Sequence, residues 1–140
     1  MTTRTADQVV LDTSVASLFF RNAAQADYYQ HEIAGRRSII SFQTYEEALF
    51  GAVKGGWGPR RMNQLRRHLE QYELIGVTPE LIDICAHLRS ERESAGRGLK
   101  TADAWIAASA LLLRCPLATT DGDFEGIPEL EVIRAPSPPG

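Results

Sequence analysis

The chain contains few of the residues that define several common protein classes. Its 140 residues include two cysteines and three histidines, and no apolar run approaches the roughly 18 residues that a membrane-spanning helix needs. Cys85 and Cys115 lie in apolar helical stretches without a second Cys or His at metal-ligand spacing, so we expect packing residues rather than a disulfide or a zinc site. The opening residues lack the apolar segment of a secretory signal. We therefore expect a cytoplasmic protein with no membrane contact.

An excess of basic charge is also missing. The chain has 15 Lys and Arg against 18 Asp and Glu, and its formal net charge is −3. This balance is not typical of a protein that binds a polyanion over its whole surface. It leaves room for a local basic rim, because the local field rather than the sum over the chain steers a charged ligand.

The apolar residues follow an alternation of strands and helices. Short apolar runs predict strands at 9–11, 38–41, 74–77, 117–119 and 131–133. Helical spacing predicts helices near 15–19, 24–34, 44–54, 59–72, 78–95 and 101–114, the third of them opened by a capping box of Thr44 and Glu47. Such alternation predicts an α/β fold with a mainly parallel sheet covered on both faces. We expect residues 1–140 to form one domain, with an ordered core of about 8–134 and mobile tails, MTTRTADQ and APSPPG.

Two acids follow predicted strands at one edge of this sheet. Asp12 comes directly after Val9–Leu11, and Asp121 comes shortly after the strand that begins at Leu117. Because open α/β sheets place their chemistry at the carboxyl ends of parallel strands, we expect the two carboxylates to converge. Asp and Gly are also ordinary turn residues, so Asp121, or Asp123 beside it, could equally serve the loop TTDGDF.

Asp103 lies in the first turn of the last predicted helix. The same helix face continues at i+3, i+4, i+7 and i+8 with Ile106, Ala107, Ala110 and Leu111. The helix macrodipole favours an acid near an N-terminus, but it does not require the acid to face inward. A buried carboxylate needs either a basic partner or a cation, so we predict that Asp103 is a metal ligand.

The types of ligand indicate which metal such a site would hold. Clustered carboxylates repel one another, and the positive charge of a divalent cation offsets this repulsion. Oxygen ligands favour Mg²⁺ or Mn²⁺ over zinc, because the three histidines, His31, His68 and His87, are scattered along the chain. A site of this kind can activate water and stabilise charge on a phosphate without a histidine base.

The segments around these acids resemble the PIN-domain ribonucleases and, within that family, the VapC-like toxins of bacterial toxin–antitoxin pairs. VVLDTS resembles the opening strand and first acid, and SFQTYEEALFG has the family's Thr, then Glu, then Gly, which selects Glu47 over Glu46. GRGLKTADAWIAASAL matches the segment in which Gly96 and Leu99 precede Asp103. LATTDGDFEGIPELEVI matches the closing strand, acid and Asp-Phe pair.

The resemblance implies a three-layer α/β/α sandwich and a metal-dependent endoribonuclease that leaves a 5′-phosphate and a 3′-hydroxyl. It implies that the acids that bind Mg²⁺ or Mn²⁺ and support catalysis are Asp12, Glu47, Asp103 and Asp121. Thr13, Ser14 and Thr119 would hold waters and carboxylates around them. The resemblance also implies a homodimer that a cognate VapB-like antitoxin inhibits, while the sequence leaves open whether Asp121 or Asp123 is the fourth acid.

Basic and aromatic residues supply candidate contacts to RNA. Arg97 and Lys100 precede Asp103 closely, and Arg60 and Arg67 lie on the basic face of the 59–72 helix, where exposed arginine is also ordinary. Trp57, in KGGWGPRR, could stack on a base or a partner helix, or could anchor its loop onto its own domain.

Three other functions compete with the toxin hypothesis. One is a PIN-domain nuclease that processes RNA without an antitoxin, and another is a catalytically silent module that only binds RNA or protein. The third is a phosphoaspartate enzyme of the haloacid dehalogenase type, which fits poorly because Ser14 stands where that family has a second Asp.

Overall fold

The computed structural model of the protein describes residues 7–137, which form a five-stranded sheet and six α-helices. The strands are β1 (Gln8–Leu11), β2 (Arg37–Ser41), β3 (Glu73–Ile75), β4 (Leu117–Ala118) and β5 (Val132–Ile133). The helices are α1 (Thr13–Arg21), α2 (Ala26–Glu32), α3 (Phe42–Lys54), α4 (Pro59–Glu70), α5 (Pro79–Ser94) and α6 (Thr101–Leu113), and a short 3₁₀ turn covers Gly122–Phe124.

The sheet is parallel throughout and has the order β3-β2-β1-β4-β5. β1 lies in the centre and is buried along its whole length, as expected for a parallel strand with helices on both faces. The chain passes from β1 towards β2 and β3 on one side and later returns to place β4 and β5 on the other. A topological switch point therefore lies between β1 and β4.

Alternating side chains of β1 divide the core between the two faces of the sheet. Val9 and Leu11 join a cluster that includes residues of α1, α2, α3 and α4, whereas Val10 packs with Ile106 and Ala107 of α6. α5 packs outside α6, where its Leu81 and Cys85 meet small residues of that helix. The predicted three-layer α/β/α fold is confirmed.

Two details of the predicted elements are wrong. The predicted capping box of Thr44 and Glu47 does not open α3, because Ser41 is both the last residue of β2 and the cap, with its hydroxyl accepting from Gln43 N at 3.1 Å. Thr44 is consequently a fully buried residue inside the helix. β3 begins and ends earlier than predicted, because its pairing stops at Ile75, opposite the end of β2.

Further predictions concern the ends of the chain, the cysteines and the membrane. Most of the residues predicted to be mobile tails lie outside the described range, but Gln8 belongs to β1 and Ala135 N donates to the hydroxyl of Tyr29. Cys85 and Cys115 are buried free thiols, which confirms their packing role. Within residues 7–137, no helix has both the length and the apolar content to cross a bilayer.

Tyr29 ties the end of β4 to the C-terminal segment, and its removal should be costly. Its buried hydroxyl donates to Thr119 O at 2.8 Å and accepts from Ala135 N at 3.0 Å. We predict that Tyr29→Phe lowers the free energy of urea unfolding by about 1–3 kcal/mol, because two backbone groups lose their partner. The control is Tyr28→Phe, because the hydroxyl of Tyr28 makes an exposed hydrogen bond of 3.4 Å to the backbone carbonyl of Arg134. Equal losses in the two variants would contradict this account.

Candidate metal centre

The candidate site lies at the carboxyl edge of the sheet, next to the switch point between β1 and β4. Asp12 follows β1 and caps α1, while Asp121 follows β4 and caps the 3₁₀ turn. Asp103 is in the first turn of α6, and Glu47 is in α3, which starts directly after β2. Four separate segments thus deliver the four predicted acids to one edge of the sheet, which is where open α/β sheets bind ligands.

Asp12 is buried and held by three hydrogen bonds. Its Oδ1 accepts from Thr13 N at 2.8 Å, and its Oδ2 accepts from Ser14 Oγ at 3.1 Å and from Thr119 Oγ1 at 2.7 Å. Burial raises the pKa of Asp12, these bonds lower it, and the nearby charge of Glu47 raises it further. Since a carboxylate can accept about four hydrogen bonds, a lone pair remains available for a cation.

Glu47 is connected to the same site through a threonine. Thr13 Oγ1 donates to Glu47 Oε1 at 2.7 Å and lies 3.2 Å from the buried hydroxyl of Thr44. Thr13, which follows Asp12 in the chain, therefore connects the start of α1 to α3. This bond fixes one carboxylate oxygen of Glu47 and leaves the other for a ligand.

Asp103 shows most clearly that the acids share one environment. Its pKa is raised from 3.8 to about 6, first by partial burial and then by the negative charges of Asp12, Asp121 and Glu47, while Lys100 lowers it. The other three predicted acids are therefore close enough for their charges to act on Asp103. The carboxylate is half-buried rather than fully buried, because Asp103 lies at the exposed end of the apolar face of α6.

A fifth acid joins the cluster at the loop after β4. Carboxylate oxygens of Asp103, Asp121 and Asp123 lie within 4.8 Å of one another. Asp121 Oδ1 accepts from Asp123 N at 2.9 Å, and Thr119 Oγ1 accepts from Asp121 N at 3.0 Å, so the loop is fixed by local bonds. The sequence left open whether Asp121 or Asp123 is the fourth acid. In the structure, both carboxylates lie in the cluster with Asp103.

These side chains suit a divalent cation chemically. Every candidate ligand is a carboxylate, and in residues 7–137 no salt bridge joins any of the five acids to a basic side chain. Hard oxygen ligands at several points around one centre are what cations such as Mg²⁺ and Mn²⁺ require. The acidic cluster can therefore accommodate a divalent metal ion.

The basic residues predicted to contact RNA lie in different places. Lys100 precedes α6 and is close enough to affect Asp103, and exposed Arg97 reaches towards the loop at Gly126. Arg60 and Arg67 are exposed on α4. Neither Arg60 nor Arg67 lines the cleft that opens beside Glu47 between α1, α3 and α4. Among the described residues, the arginines that line this cleft are Arg21 and Arg61.

An apolar cleft of about 330 Å³ opens next to Glu47, between α1, α3 and α4. Trp57 lines it, with its ring stacked on Phe20 at a centroid distance of 5.8 Å and the Arg61 guanidinium 3.7 Å from the ring centre. Trp57 therefore packs onto its own domain, which is the simpler of its two predicted roles. Arg61 also lines this cleft, which the sequence did not predict, because Trp57 precedes α4 and the i, i+4 spacing of a helix does not extend to it.

Fold and site together define a PIN domain. The PIN domain family matches residues 9–130, and the chain belongs to that family. Ribonuclease VapC1 of Haemophilus influenzae is 28% identical over 129 residues, which cover 87% of this chain and 93% of the relative.

Solved structures of toxin–antitoxin proteins have the same fold. VapBC-5 of Mycobacterium tuberculosis, described as a member of the VapBC family of toxin–antitoxin systems, matches with a TM-score of 0.69 and 30% identity, covering 92% of this chain and 99% of that chain. DNA-bound VapBC of Salmonella typhimurium matches with a TM-score of 0.80 and 20% identity, covering 91% and 97%, and shows likeness of fold alone.

Removal of one negative charge should stabilise the metal-free protein. The raised pKa means that the folded state disfavours the ionised form of Asp103. The resulting loss in the free energy of unfolding is absent below about pH 4, where the group is protonated in both states, and it grows as the pH rises through about 6. We predict that Asp103→Asn raises the free energy of unfolding at pH 8 in EDTA by about 1 kcal/mol, a value that allows for solvent screening. At pH 3 this difference should vanish.

The matched control for this stability measurement is Glu46→Gln, which neutralises an exposed acid of α3 outside the cluster. It should change the unfolding free energy by less than about 0.5 kcal/mol. If Asp103→Asn destabilised the metal-free protein at pH 8 as much as at pH 3, the acids would not repel one another as described.

Proposed function

We propose that the protein is a VapC-like toxin, an endoribonuclease that uses Mg²⁺ or Mn²⁺ to hydrolyse RNA phosphodiesters in the cytoplasm. A cognate VapB-like antitoxin would inhibit it. The observation that carries this proposal is the acidic cluster, in which carboxylate oxygens of Asp103, Asp121 and Asp123 lie within 4.8 Å of one another. The charges of Asp12 and Glu47 also act on Asp103. Membership of the PIN family and similarity to a named VapC ribonuclease support it.

The metal ligands in this proposal are Asp12, Glu47, Asp103 and Asp121, with Asp123 as an additional carboxylate of the same cluster. When bound, the cation would lower the pKa of an attacking water and stabilise the charge that develops on the phosphate. Thr119 and Ser14 fix the carboxylate of Asp12, and Thr13 fixes that of Glu47. These hydroxyls orient the acids before substrate arrives, which lowers the cost of organising the site.

Basic residues beside the acids would hold the RNA. Lys100 and Arg97 flank the cluster on the side of α6 and the loop after β4, where a phosphate next to the scissile one could bind. Arg60 and Arg67 would add only distant attraction to the RNA backbone. The protein would then combine a metal site with a local basic rim, despite its overall negative charge.

Neutral variants of the acids test the reaction. We predict that Glu47→Gln and Asp12→Asn each lower the rate of RNA cleavage at least about a hundredfold, because each removes charge that holds the cation. Glu46→Gln, one residue from Glu47 and exposed, should cleave at the wild-type rate. EDTA should abolish wild-type cleavage, and Mg²⁺ or Mn²⁺ should restore it.

The assay also separates the competing functions. Undiminished cleavage by the Glu47 and Asp12 variants would refute the site. A wild-type protein that binds RNA but never cleaves it would support the catalytically silent module. Mapping the 5′ ends produced after induction in cells would identify the RNA that is cut.

The cleft between α1, α3 and α4 is the surface we assign to the antitoxin. It runs from Glu47 to Phe20 and Trp57 and is mostly apolar, so an apolar side chain of a peptide could fill it while a neighbouring basic group reaches the acids. Arg61 over Trp57 forms part of its wall. This arrangement would block the metal centre and supply binding energy at the same time.

Filling the cleft from the toxin side should weaken that complex. Gly51 of α3 lines the cleft, and a Cβ built there meets nothing within 4 Å. We predict that Gly51→Leu raises the dissociation constant for the antitoxin at least roughly tenfold by occupying the cleft, measured by calorimetry. Gly51→Ala, which adds only a methyl group to an open position, should bind as wild type does.

The result of this binding experiment distinguishes two kinds of nuclease. Unchanged affinity of Gly51→Leu would place the antitoxin elsewhere. Absence of any antitoxin-like protein encoded beside the gene would favour an RNA-processing nuclease of the same family. The homodimer implied by the resemblance stays a prediction, which sedimentation equilibrium of the purified chain can test.

A further inference from the structure

Arg92 occupies a position where an apolar residue would be expected. Leu81, Cys85 and Leu88 of α5 are buried at intervals of four and three residues, and position 92 continues the same face. Its side chain is 8% exposed. A buried guanidinium loses its hydration, so a cation at such a position needs a compensating interaction.

The contacts of Arg92 lead to the loop that carries two of the clustered acids. Its Nη2 donates to the backbone carbonyl of Asp123 at 3.2 Å. Its Nε is buried without a hydrogen-bond partner among residues 7–137, and no salt bridge of those residues involves it. Within the described part of the chain, the hydrogen bond of the Arg92 side chain therefore goes to the loop and not to a carboxylate on a neighbouring helix.

The loop is shaped to fit the arginines beside it. Gly126 has a φ of +81°, and a Cβ at that residue would lie 2.7 Å from Nη1 of Arg97 and 4.0 Å from Nη1 of Arg92. The positive φ is what favours glycine at this position, while Arg97 approaches the backbone closely and Arg92 lies at ordinary contact distance. Arg92 thus lies against the loop at both Asp123 and Gly126.

We propose that Arg92 is a positioning residue that holds the loop from Asp121 to Gly126 in the conformation that brings the carboxylates of Asp121 and Asp123 to Asp103. The inference rests on the proposed metal site and adds a residue to it that touches none of the candidate ligand oxygens. A guanidinium donor from α5 fixes the backbone of the loop, and the bond from Asp123 N to Asp121 Oδ1 then sets the two acids relative to each other.

The test measures binding of Mn²⁺ to the metal-free full-length chain by calorimetry. Arg92→Met retains the apolar stem but removes the donor, and it should raise the dissociation constant for Mn²⁺ about tenfold, a typical loss when a residue behind metal ligands is removed. Arg89→Met, an exposed position on the same helix, should bind Mn²⁺ as wild type does. Equal affinity of Arg92→Met and wild type would overturn the proposal.

A second measurement needs no metal. In EDTA, amide hydrogen exchange at Asp123 and Glu125 should be faster in Arg92→Met than in wild type, while amides in the middle of α5 should exchange as before. Unchanged exchange at the loop would contradict the proposed role. A uniform increase throughout the chain would contradict it too, because it would show general destabilisation.

The same experiments separate this proposal from the proposed function. If the wild-type protein bound no Mn²⁺, the metal site would fail, but exchange at the loop would still decide whether Arg92 holds it. If Arg92→Met did not fold, Arg92→Lys would replace it, since lysine keeps the charge but lacks the planar fork. We then expect weaker Mn²⁺ binding than in wild type, and wild-type affinity together with wild-type loop exchange would overturn the inference.

Discussion

Repulsion between carboxylates is the constraint around which this molecule is arranged. The charges of Asp12, Asp121 and Glu47 all raise the pKa of Asp103, so the folded chain holds them in proximity against their mutual repulsion. Like charges gathered at one centre repel one another, and this repulsion lowers the stability of a domain whose total stability is itself small. A fold that tolerates such a cluster must fix it firmly, and a dication removes the conflict.

The parallel sheet provides the fixed support. Backbone pairing of β1 with β4 determines where Asp12 and the loop after β4 begin, and the hydroxyl of Thr119 bridges the two by donating to Asp12 Oδ2. The cap at Ser41 starts α3 immediately after β2, so that Glu47 comes within reach of Thr13. The site thus depends on where strands end more than on the loops themselves.

Much of this arrangement could be predicted from the sequence because it follows from local periodicity. The apolar run before Asp12 and the helical face that continues from Asp103 each identify a residue at a special position without any tertiary information. The fold class followed from the alternation of strands and helices. Glu47 was selected by its resemblance to a family motif, since periodicity alone did not separate it from Glu46.

Other features required the tertiary structure. The cap of α3 was misplaced because Ser41 belongs to a strand and a helix at once, which a linear pattern does not show. Asp123 lies in the 3₁₀ turn after Asp121, and its carboxylate comes within 4.8 Å of ligand atoms of Asp103 and Asp121, a proximity that a linear pattern does not show. Arg92 continues the buried face of α5 beyond Leu88, and the pattern of apolar residues gives no reason to include an arginine there.

The proposed function requires that acids from separate segments of the chain form one dication site. Anomalous diffraction from crystals grown with Mn²⁺ tests it most directly, because the anomalous signal locates the ion independently of the protein. We expect a Mn²⁺ peak within about 2.5 Å of carboxylate oxygens from at least two segments, Asp103 among them. Absence of a peak at saturating Mn²⁺, or a peak bound only by surface acids elsewhere, would contradict it.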